Sequence, residues 1–412
     1  MKIAILTGGF LPVLDGVTVG WFYRLQELSR LGHDILYLCP DYSDLAHLYP
    51  NWKDYVGAIF PGIRVVGVAS QPFIGVDFER NISPKAYPQI LEELQHFRPE
   101  LIHVEEPERL FIGSRRLFPG IDYAREAKIP CVACFRTNFS EYLEDFFKLP
   151  KIAISGLQFL LKQLLVLIYN RYAITLVPSE ITKQKLVEFG IKNAKYVDLN
   201  GFDFNKFDLG LKDDRFFQTY YQLPEVDEKI KLVFVGRLTP DKGWNFTLSA
   251  LPNLLTQVGI DKVALIVVGD GQMRDEIAEK LGTITPSLHL LGRVPPEKIP
   301  AVLINSDIYV TTSEKENRSV TLIEALGAAL PAIAPQAGGV VQDVREGWNG
   351  FLFEPQNSKD FQQKLLTVLE DETLRQTMGE NSRNYAAQYS WGNTVKNLVE
   401  QWRQQIHDFT AA

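Results

Sequence analysis

The stretch that decides the reading is Thr311-Thr-Ser-Glu-Lys-Glu-Asn-Arg-Ser-Val-Thr-Leu-Ile-Glu-Ala-Leu-Gly-Ala-Ala-Leu330. An apolar run at 307–311 precedes it, a polar loop follows, and a helical pattern begins near Val320, so the order is strand, loop, helix. The first backbone N–H groups of such a helix, around Ser319, Val320 and Thr321, lack internal partners and favour an anion such as phosphate. Glu316 lies in the loop and Glu324 follows eight residues later in the helix. Carboxylates accept hydrogen bonds from vicinal hydroxyls, so this pair suits two sugars, one on each side of a diphosphate. On this segment alone, an ordinary acidic loop before a surface helix is an equal alternative.

Working outward, Phe234-Val-Gly-Arg-Leu-Thr-Pro-Asp-Lys-Gly243 places Arg237 and Lys242 just past another strand end. Two cations there can neutralise a diphosphate, both as bound ligand and as leaving group; the alternative is a solvated basic loop. Val268-Gly-Asp-Gly271 reads as a tight strand-to-loop turn. Leu291-Gly-Arg-Val294 offers backbone groups after a further strand, suited to the edge of a nucleobase.

Around these loops, short apolar runs alternate with helical periodicity, the pattern of a parallel sheet with crossover helices. Strands are expected near 2–7, 34–39, 63–68, 100–104, 130–134, 174–177 and 195–198, then near 231–235, 263–268, 288–291, 307–311 and 331–334. A first helix is expected over Gly16–Leu31, with Val19, Phe22, Leu25 and Leu28 on one face and Gly32 as its stop. At 412 residues the chain exceeds what one core usually spans. The expected fold is α/β, two facing Rossmann-like doubly wound parallel sheets, with ligands at the carboxyl ends of the strands and therefore in a cleft between the domains. Domain one is expected over 1–200 and domain two over 201–389, with the charged, turn-rich Phe202–Lys229 as linker. Ser390–Phe409 reads as one amphipathic helix with the stripe Val395, Leu398, Trp402 and Ile406.

Together these residues resemble the retaining glycosyltransferases of family 4, which have the GT-B fold, over nearly the whole chain. Glu316 and Glu324 stand at the family's E-x7-E spacing, followed by Ala325 and Gly-Ala-Ala-Leu-Pro331. Gly236, Arg237 and Lys242 match the G-R-x-x-x-x-K pattern, and Gly269-Asp-Gly271, Val177-Pro-Ser-Glu180, Ala337-Gly-Gly-Val340 and Asn349-Gly-Phe-Leu352 match as well. The resemblance implies that Glu316 contacts the transferred sugar, Glu324 holds the ribose, and Arg237 and Lys242 bind the diphosphate with help from the amides of Ser319, Val320 and Thr321. It implies Arg293 and Val294 against the base. Gly8, Gly9 and Gly16 would form a first-domain loop that lets ligands approach backbone. It also implies retention by front-face attack, the departing phosphate taking the acceptor proton. The first domain would be the acceptor side and the second the nucleotide-sugar side, with a final helix from Tyr389-Ser-Trp391, over 390–412, crossing back to the first.

Two departures stand out. Asn317-Arg318-Ser319 replaces the Phe-Gly that usually follows the first glutamate, and Arg136, in Phe135-Arg-Thr-Asn-Phe139, takes the place of a His near the transferred sugar. Arg136, with Arg318, would then recognise an anionic or unusually substituted sugar; pairing of Arg136 with Glu105 or Glu106 is the equal alternative.

Composition narrows the rest. A net charge of −7 argues against a nucleic-acid binder, which needs a concentrated basic surface. Cys131 and Cys134 form a C-x-x-C, but Ile129-Pro-Cys-Val-Ala-Cys-Phe135 reads as a buried strand, so these are expected to be apolar core thiols. There is no Asp-x-Asp to hold a divalent ion, so no cofactor or metal is expected beyond the nucleotide sugar, a UDP-sugar by the family default and a GDP-sugar otherwise. The acceptor is a small-molecule, glycan or lipid-linked hydroxyl. Glu105-Glu106-Pro107-Glu108 is expected to line its site, and His103 to be structural. Tyr142–Lys185 reads either as a long core helix with solvated lysines, the favoured version, or as a monotopic membrane face. No signal peptide and no stretch uncharged enough to span a bilayer is recognised, so a cytoplasmic location is expected, with peripheral contact to a membrane's inner face allowed. A dinucleotide oxidoreductase would need G-x-G-x-x-G where Thr7-Gly-Gly-Phe-Leu-Pro12 stands. A non-catalytic nucleotide-sugar-binding protein is the remaining alternative, though it has no need of two cations beside two glutamates.

Overall fold

The computed structural model describes residues 1–73, 76–112, 120–136, 150–199, 201–316 and 318–411. The chain divides into two compact units, one built from the described residues before 200 with the last helix, the other from Gly201–Ser390.

In the first unit the strands are β1 (Lys2–Leu6), β2 (Asp34–Pro40), β3 (Gly57–Phe60), β4 (Ile63–Val68), the separate hairpin β5 (Ser70–Phe73) and β6 (Val76–Ile82), then β7 (Leu101–Glu105), β8 (Cys131–Cys134), β9 (Thr175–Val177) and β10 (Ala194–Tyr196). The main sheet runs β10-β9-β8-β7-β1-β2-β4-β3, parallel except for β3 against β4. In the second unit β11 (Ile230–Val235), β12 (Val263–Val268), β13 (Leu288–Gly292), β14 (Ile308–Val310), β15 (Ala332–Pro335) and β16 (Gly350–Phe353) form a wholly parallel sheet in the order β13-β12-β11-β14-β15-β16. Strands such as Val263-Ala-Leu-Ile-Val-Val268, buried at every position, are apolar throughout because helices cover both faces.

Both orders reverse beside the first strand of the sheet, between β1 and β7 and between β11 and β14. Loops leaving neighbouring strands there turn to opposite faces and open a crevice at the carboxyl ends. That puts the loops after β11 and β14, which carry Arg237, Lys242 and Glu316, at one such point. The loops after β1 and β7, with Gly8, Gly9 and Glu105, lie at the other.

The expected helix after β1 runs Gly16–Arg30. The last helix, Trp391–Ala411, belongs to the first unit, where Val395, Leu398, Val399 and Trp402 pack with Trp21, Leu25 and Leu28 of Gly16–Arg30. Phe202–Lys229 is not a simple linker. Phe202, Phe207, Phe216, Phe217 and Val226 are core residues of the second unit, and Asp227 accepts from the Phe217 and Gln218 amides. Its helices run three to six residues, too short to show a period among the charges. The strands β3, β5, β6 and β16 were also not expected. β3 is a half-exposed edge of four residues, the β5–β6 hairpin carries Pro72, Asp77, Glu79 and Arg80, and β16 is also only four residues long. Cys39, Cys131 and Cys134 are free and buried, and burial raises their thiol pKa values.

The β12 turn depends on one close approach. Gly269 has φ 136°, and a Cβ there would stand 1.8 Å from the Gly236 carbonyl oxygen. Gly269→Ala is expected to lower stability by more than about 1 kcal/mol. Gly282→Ala, in a helix where a Cβ meets nothing within 4 Å, should be neutral or stabilising by up to about 1 kcal/mol. Denaturant titration of the two variants checks both.

Candidate active site

In the second unit, the loop after β11 turns through Pro240–Lys242 and is pinned at Gly243. That residue has φ 77°, and a Cβ would lie 2.1 Å from the Thr312 carbonyl oxygen at the end of β14. The Thr312 hydroxyl donates to the Gly243 carbonyl at 3.0 Å, tying the two loops together. Arg237 donates from Nη2 to Asp241 at 2.9 Å. Asp241 is fully buried while 60% of the Arg237 side chain is exposed, so the guanidinium is tethered yet available to solvent. The tether went unrecognised in the sequence, although Asp241 stands four residues after Arg237.

Lys242 Nζ meets Glu316 Oε1 at 2.5 Å, and both side chains are mostly buried. Thus the structure brings together the cation from one loop and the carboxylate from the other. The Glu316 carbonyl accepts from the Gly339 amide at 2.5 Å, which anchors its loop to the Ala337-Gly-Gly-Val340 run. Ser319 caps the Val320–Gly327 helix, its hydroxyl accepting from the Leu322 amide at 3.2 Å. The Val320 and Thr321 amides ahead of it have no hydrogen-bond partner among the described residues. Glu324, half-buried on the same helix, likewise has no side-chain partner there, and burial pushes its carboxyl up to about 7. Unpaired amides with a neighbouring ammonium suit a polyanion, and an unsatisfied carboxylate suits a hydroxyl-bearing ligand. At the sheet's far side, the Gly292 carbonyl accepts from the Gly269 amide at 2.8 Å. Arg293 is well exposed, 3.7 Å from Asp270, with Val294 half-buried beside it.

Arg318 corrects an expectation. It donates to Asp343 at 2.8 Å and stacks over Tyr389, with both charged side chains essentially buried. It is a core ion pair, not a sugar-selecting arginine. Asn317 lies outside the described residues.

In the first unit, Gly9 sits in a turn closed by the Thr7 hydroxyl, and Gly8 faces Arg109. Gly16 opens its helix, but Asp15 accepts from the Val17 and Thr18 amides at 2.7 and 2.8 Å. These amides already have an anion, so this loop offers close approach to backbone rather than positive charge.

Arg136 donates from Nε to Glu105 at 2.5 Å, its side chain 7% exposed. His103 Nε2 lies 2.9 Å from the other Glu105 oxygen, and Trp402 Nε1 donates to His103 Nδ1 at 3.2 Å. His103, Glu105 and Cys134 offer ligand atoms within 4.8 Å of one another. The set does not fit a metal, because a guanidinium already occupies the carboxylate and an indole N–H occupies Nδ1. Glu106, with φ 46°, pairs with Arg109 at 3.7 Å, and Glu108 is buried and bonded by the Tyr169 hydroxyl. Burial, then the Glu106 charge, pushes Glu108 up to about 8. Thr137–Phe139 and 142–148, part of the expected acceptor region, lie outside the described residues.

Two units, each built on a doubly wound sheet, define the GT-B class of glycosyltransferase-like folds. The profile of Glycosyl transferases group 1 matches residues 220–385, and that of Glycosyltransferase Family 4 matches 14–202. The chain belongs to glycosyltransferase family 4. It is 26% identical over 357 residues to the sulfoquinovosyl transferase of Arabidopsis thaliana, covering 84% of this chain and 65% of that protein. It is 26% identical over 360 residues to a GDP-mannose-dependent alpha-mannosyltransferase of Corynebacterium glutamicum, covering 87% and 78%. The crystal structure of Anabaena HepE in complex with UDP superposes with a TM-score of 0.72 at 20% identity, over 98% of this chain and all of that one; it shares the GT-B fold.

If Arg318 serves the core, Arg318→Met leaves Asp343 buried without its ion partner and is expected to cost about 3 kcal/mol or more. Chemical denaturation reads this directly, and an unchanged midpoint contradicts it.

Proposed function

We propose that this protein moves a sugar from a nucleotide sugar, a UDP-sugar in the favoured version, to a hydroxyl acceptor with retention and without a metal on the diphosphate. The observation that carries this reading is the Lys242–Glu316 contact between the loops after β11 and β14, with the tethered Arg237 on the first loop and, at the start of the helix that bears Glu324, Val320 and Thr321 amides that have no partner among the described residues. In this reaction the cations and amides replace a divalent ion as the field that stabilises the leaving diphosphate. Glu316 exchanges Lys242 for hydroxyls of the transferred sugar, Glu324 takes the ribose, and Arg293 and Val294 lie at the base. Gly9 and Gly16 admit the acceptor, and the diphosphate takes its proton. Arg136 lies at the transferred sugar. The relatives' names divide over the donor: one is GDP-mannose-dependent, while the Anabaena structure holds UDP.

Melting of the purified protein with a panel of UDP, GDP and their sugars, in EDTA, tests the reading, because a ligand of the folded state raises the melting temperature. One nucleotide series should stabilise, and Arg237→Ala should remove the effect. No stabilisation by any nucleotide would overturn the donor site; binding without turnover would leave a non-catalytic nucleotide-sugar-binding protein. Only the ionised Glu324 accepts two hydroxyls well, and its carboxyl stands near 7, so acid competes with the ribose. Nucleotide affinity should therefore fall about tenfold from pH 8 to pH 6, and Glu324→Gln should flatten this dependence.

The acceptor we assign is lipid-linked, reached by an enzyme peripheral to the inner face of a membrane. Its support is the helix Lys151–Tyr169, which is not the core helix favoured from the sequence. Only 22% of Ile152–Tyr169 is buried, and by length and composition the segment could cross a membrane. Ile152, Phe159, Leu160 and Leu167 are exposed along one stripe, while Ile154, Leu165, Ile168 and Tyr169 are buried. The buried residues favour a helix lying on a surface. No Asp or Glu occurs from Pro150 to Ser179, whereas Lys151, Lys162 and Arg171 do, so the surface would be anionic. Wild-type protein is expected to co-sediment with phosphatidylglycerol vesicles, and Phe159→Glu with Leu160→Glu to abolish this. Failure of the wild type to bind removes the lipid assignment.

A further inference from the structure

The C-terminal helix reaches a buried polar chain that ends at Arg136. Trp402, fully buried, donates its indole N–H to His103 Nδ1 at 3.2 Å. An indole nitrogen only donates, so Nδ1 must accept. The ring proton therefore sits on Nε2 and points at Glu105 Oε2, 2.9 Å away. The second oxygen, Oε1, accepts from Arg136 Nε at 2.5 Å. One carboxylate is thus held at both oxygens by different donors, and the His-side donor exists only in the tautomer that Trp402 selects. The contact is well packed: Trp21 and Trp402 both meet the His103 ring edge-on, at 5.3 and 5.7 Å. His103 and Glu105 share a face of β7, two residues apart, and Arg136 follows the neighbouring β8.

We propose that Trp402 is a positioning residue for Arg136, acting through the tautomer of His103 and the carboxylate of Glu105. This rests on the reading that Arg136 meets the transferred sugar. The family's histidine at that place would need no such support; a guanidinium on a long flexible chain needs its plane set. Trp402, His103 and Glu105 set it from behind, from an element 266 positions away in sequence. The charged groups facing His103 are Glu105, Arg136 and Arg24 of the Gly16–Arg30 helix, which itself is bonded to the Leu199 carbonyl at 3.1 Å. The two guanidiniums, with burial, oppose a second proton on the ring, so the neutral tautomer persists while the indole holds Nδ1.

The test is Trp402→Phe in the full chain, which keeps an aromatic ring and removes only the N–H. The chain has six histidines, so ring nitrogen signals can be assigned by nuclear magnetic resonance. In the wild type, His103 should remain the neutral Nε2–H form from about pH 8 to 5.5, whereas in Trp402→Phe both tautomers should appear. Turnover, with the donor identified by melting, should drop three- to tenfold, the scale of one lost hydrogen bond, at unchanged nucleotide affinity. In an Arg136→Lys background the same change should cost less than about twofold, because coupled residues do not add. An unaltered His103 tautomer, a wild-type kcat, or a full additive loss in the Arg136→Lys background each overturns the proposal. If Arg136→Lys alone leaves kcat and KM untouched, it is the placement of Arg136 at the sugar that fails, and the positioning role falls with it; nucleotide stabilisation would still stand.

Discussion

The second unit is organised around a contact between two loops 74 residues apart: the Lys242 ammonium against the Glu316 carboxylate at 2.5 Å. Both side chains are mostly removed from water. A charge in that setting is costly alone and stable when paired. Everything nearby keeps the pair in register. Gly243 lets the β11 loop touch the backbone of β14, the Thr312 hydroxyl closes the seam, and the Gly339 amide holds the Glu316 carbonyl from behind. In the proposed reaction this pair is the resting state that a diphosphate and a sugar replace, each taking the partner of opposite character.

Around it, the structure separates charges that serve the core from charges left available. Arg318 and Asp343 are spent on each other under Tyr389. Asp241 is buried to hold Arg237, whose guanidinium stays exposed. The Val320 and Thr321 amides and the Glu324 carboxylate have no partners among the described residues, and burial makes the carboxylate easier to protonate. The first unit does the opposite at its helix start, where Asp15 satisfies the amides. Two similar sheets thus present different chemistry at the same topological position, one cationic and one close-packed and acidic.

The doubly wound sheets were legible because buried parallel strands must be apolar at every position, and runs such as Val263–Val268 admit no other reading. Arg237, Lys242 and Glu316 fall in loops that directly follow β11 and β14, so local order alone places those loops at the crevice, while Glu324 follows on the next helix. What escaped was short or irregular. Phe202, Phe207, Phe216 and Phe217 enter the core from segments too short to show a period, and the edge strand β3 is only four residues long. The helix Lys151–Tyr169 was apolar enough to read as core, yet only one face of it is covered.

By itself, then, the sequence determined the class of fold through its periodicity, and its motifs of a few residues carried the resemblance to family 4 that the family profiles bear out. Tertiary structure alone decided which charges are neutralised. Arg318 and Arg136 look alike in the chain as arginines in place of smaller family residues. One is paired with Asp343, 25 positions on, and the other with Glu105, 31 positions back. The physical reason is that the state of a charge depends on what lies within a few ångströms of it and on how much water remains there. Distances of that kind, like the indole of Trp402 on His103, are made only when segments far apart in the chain are folded together.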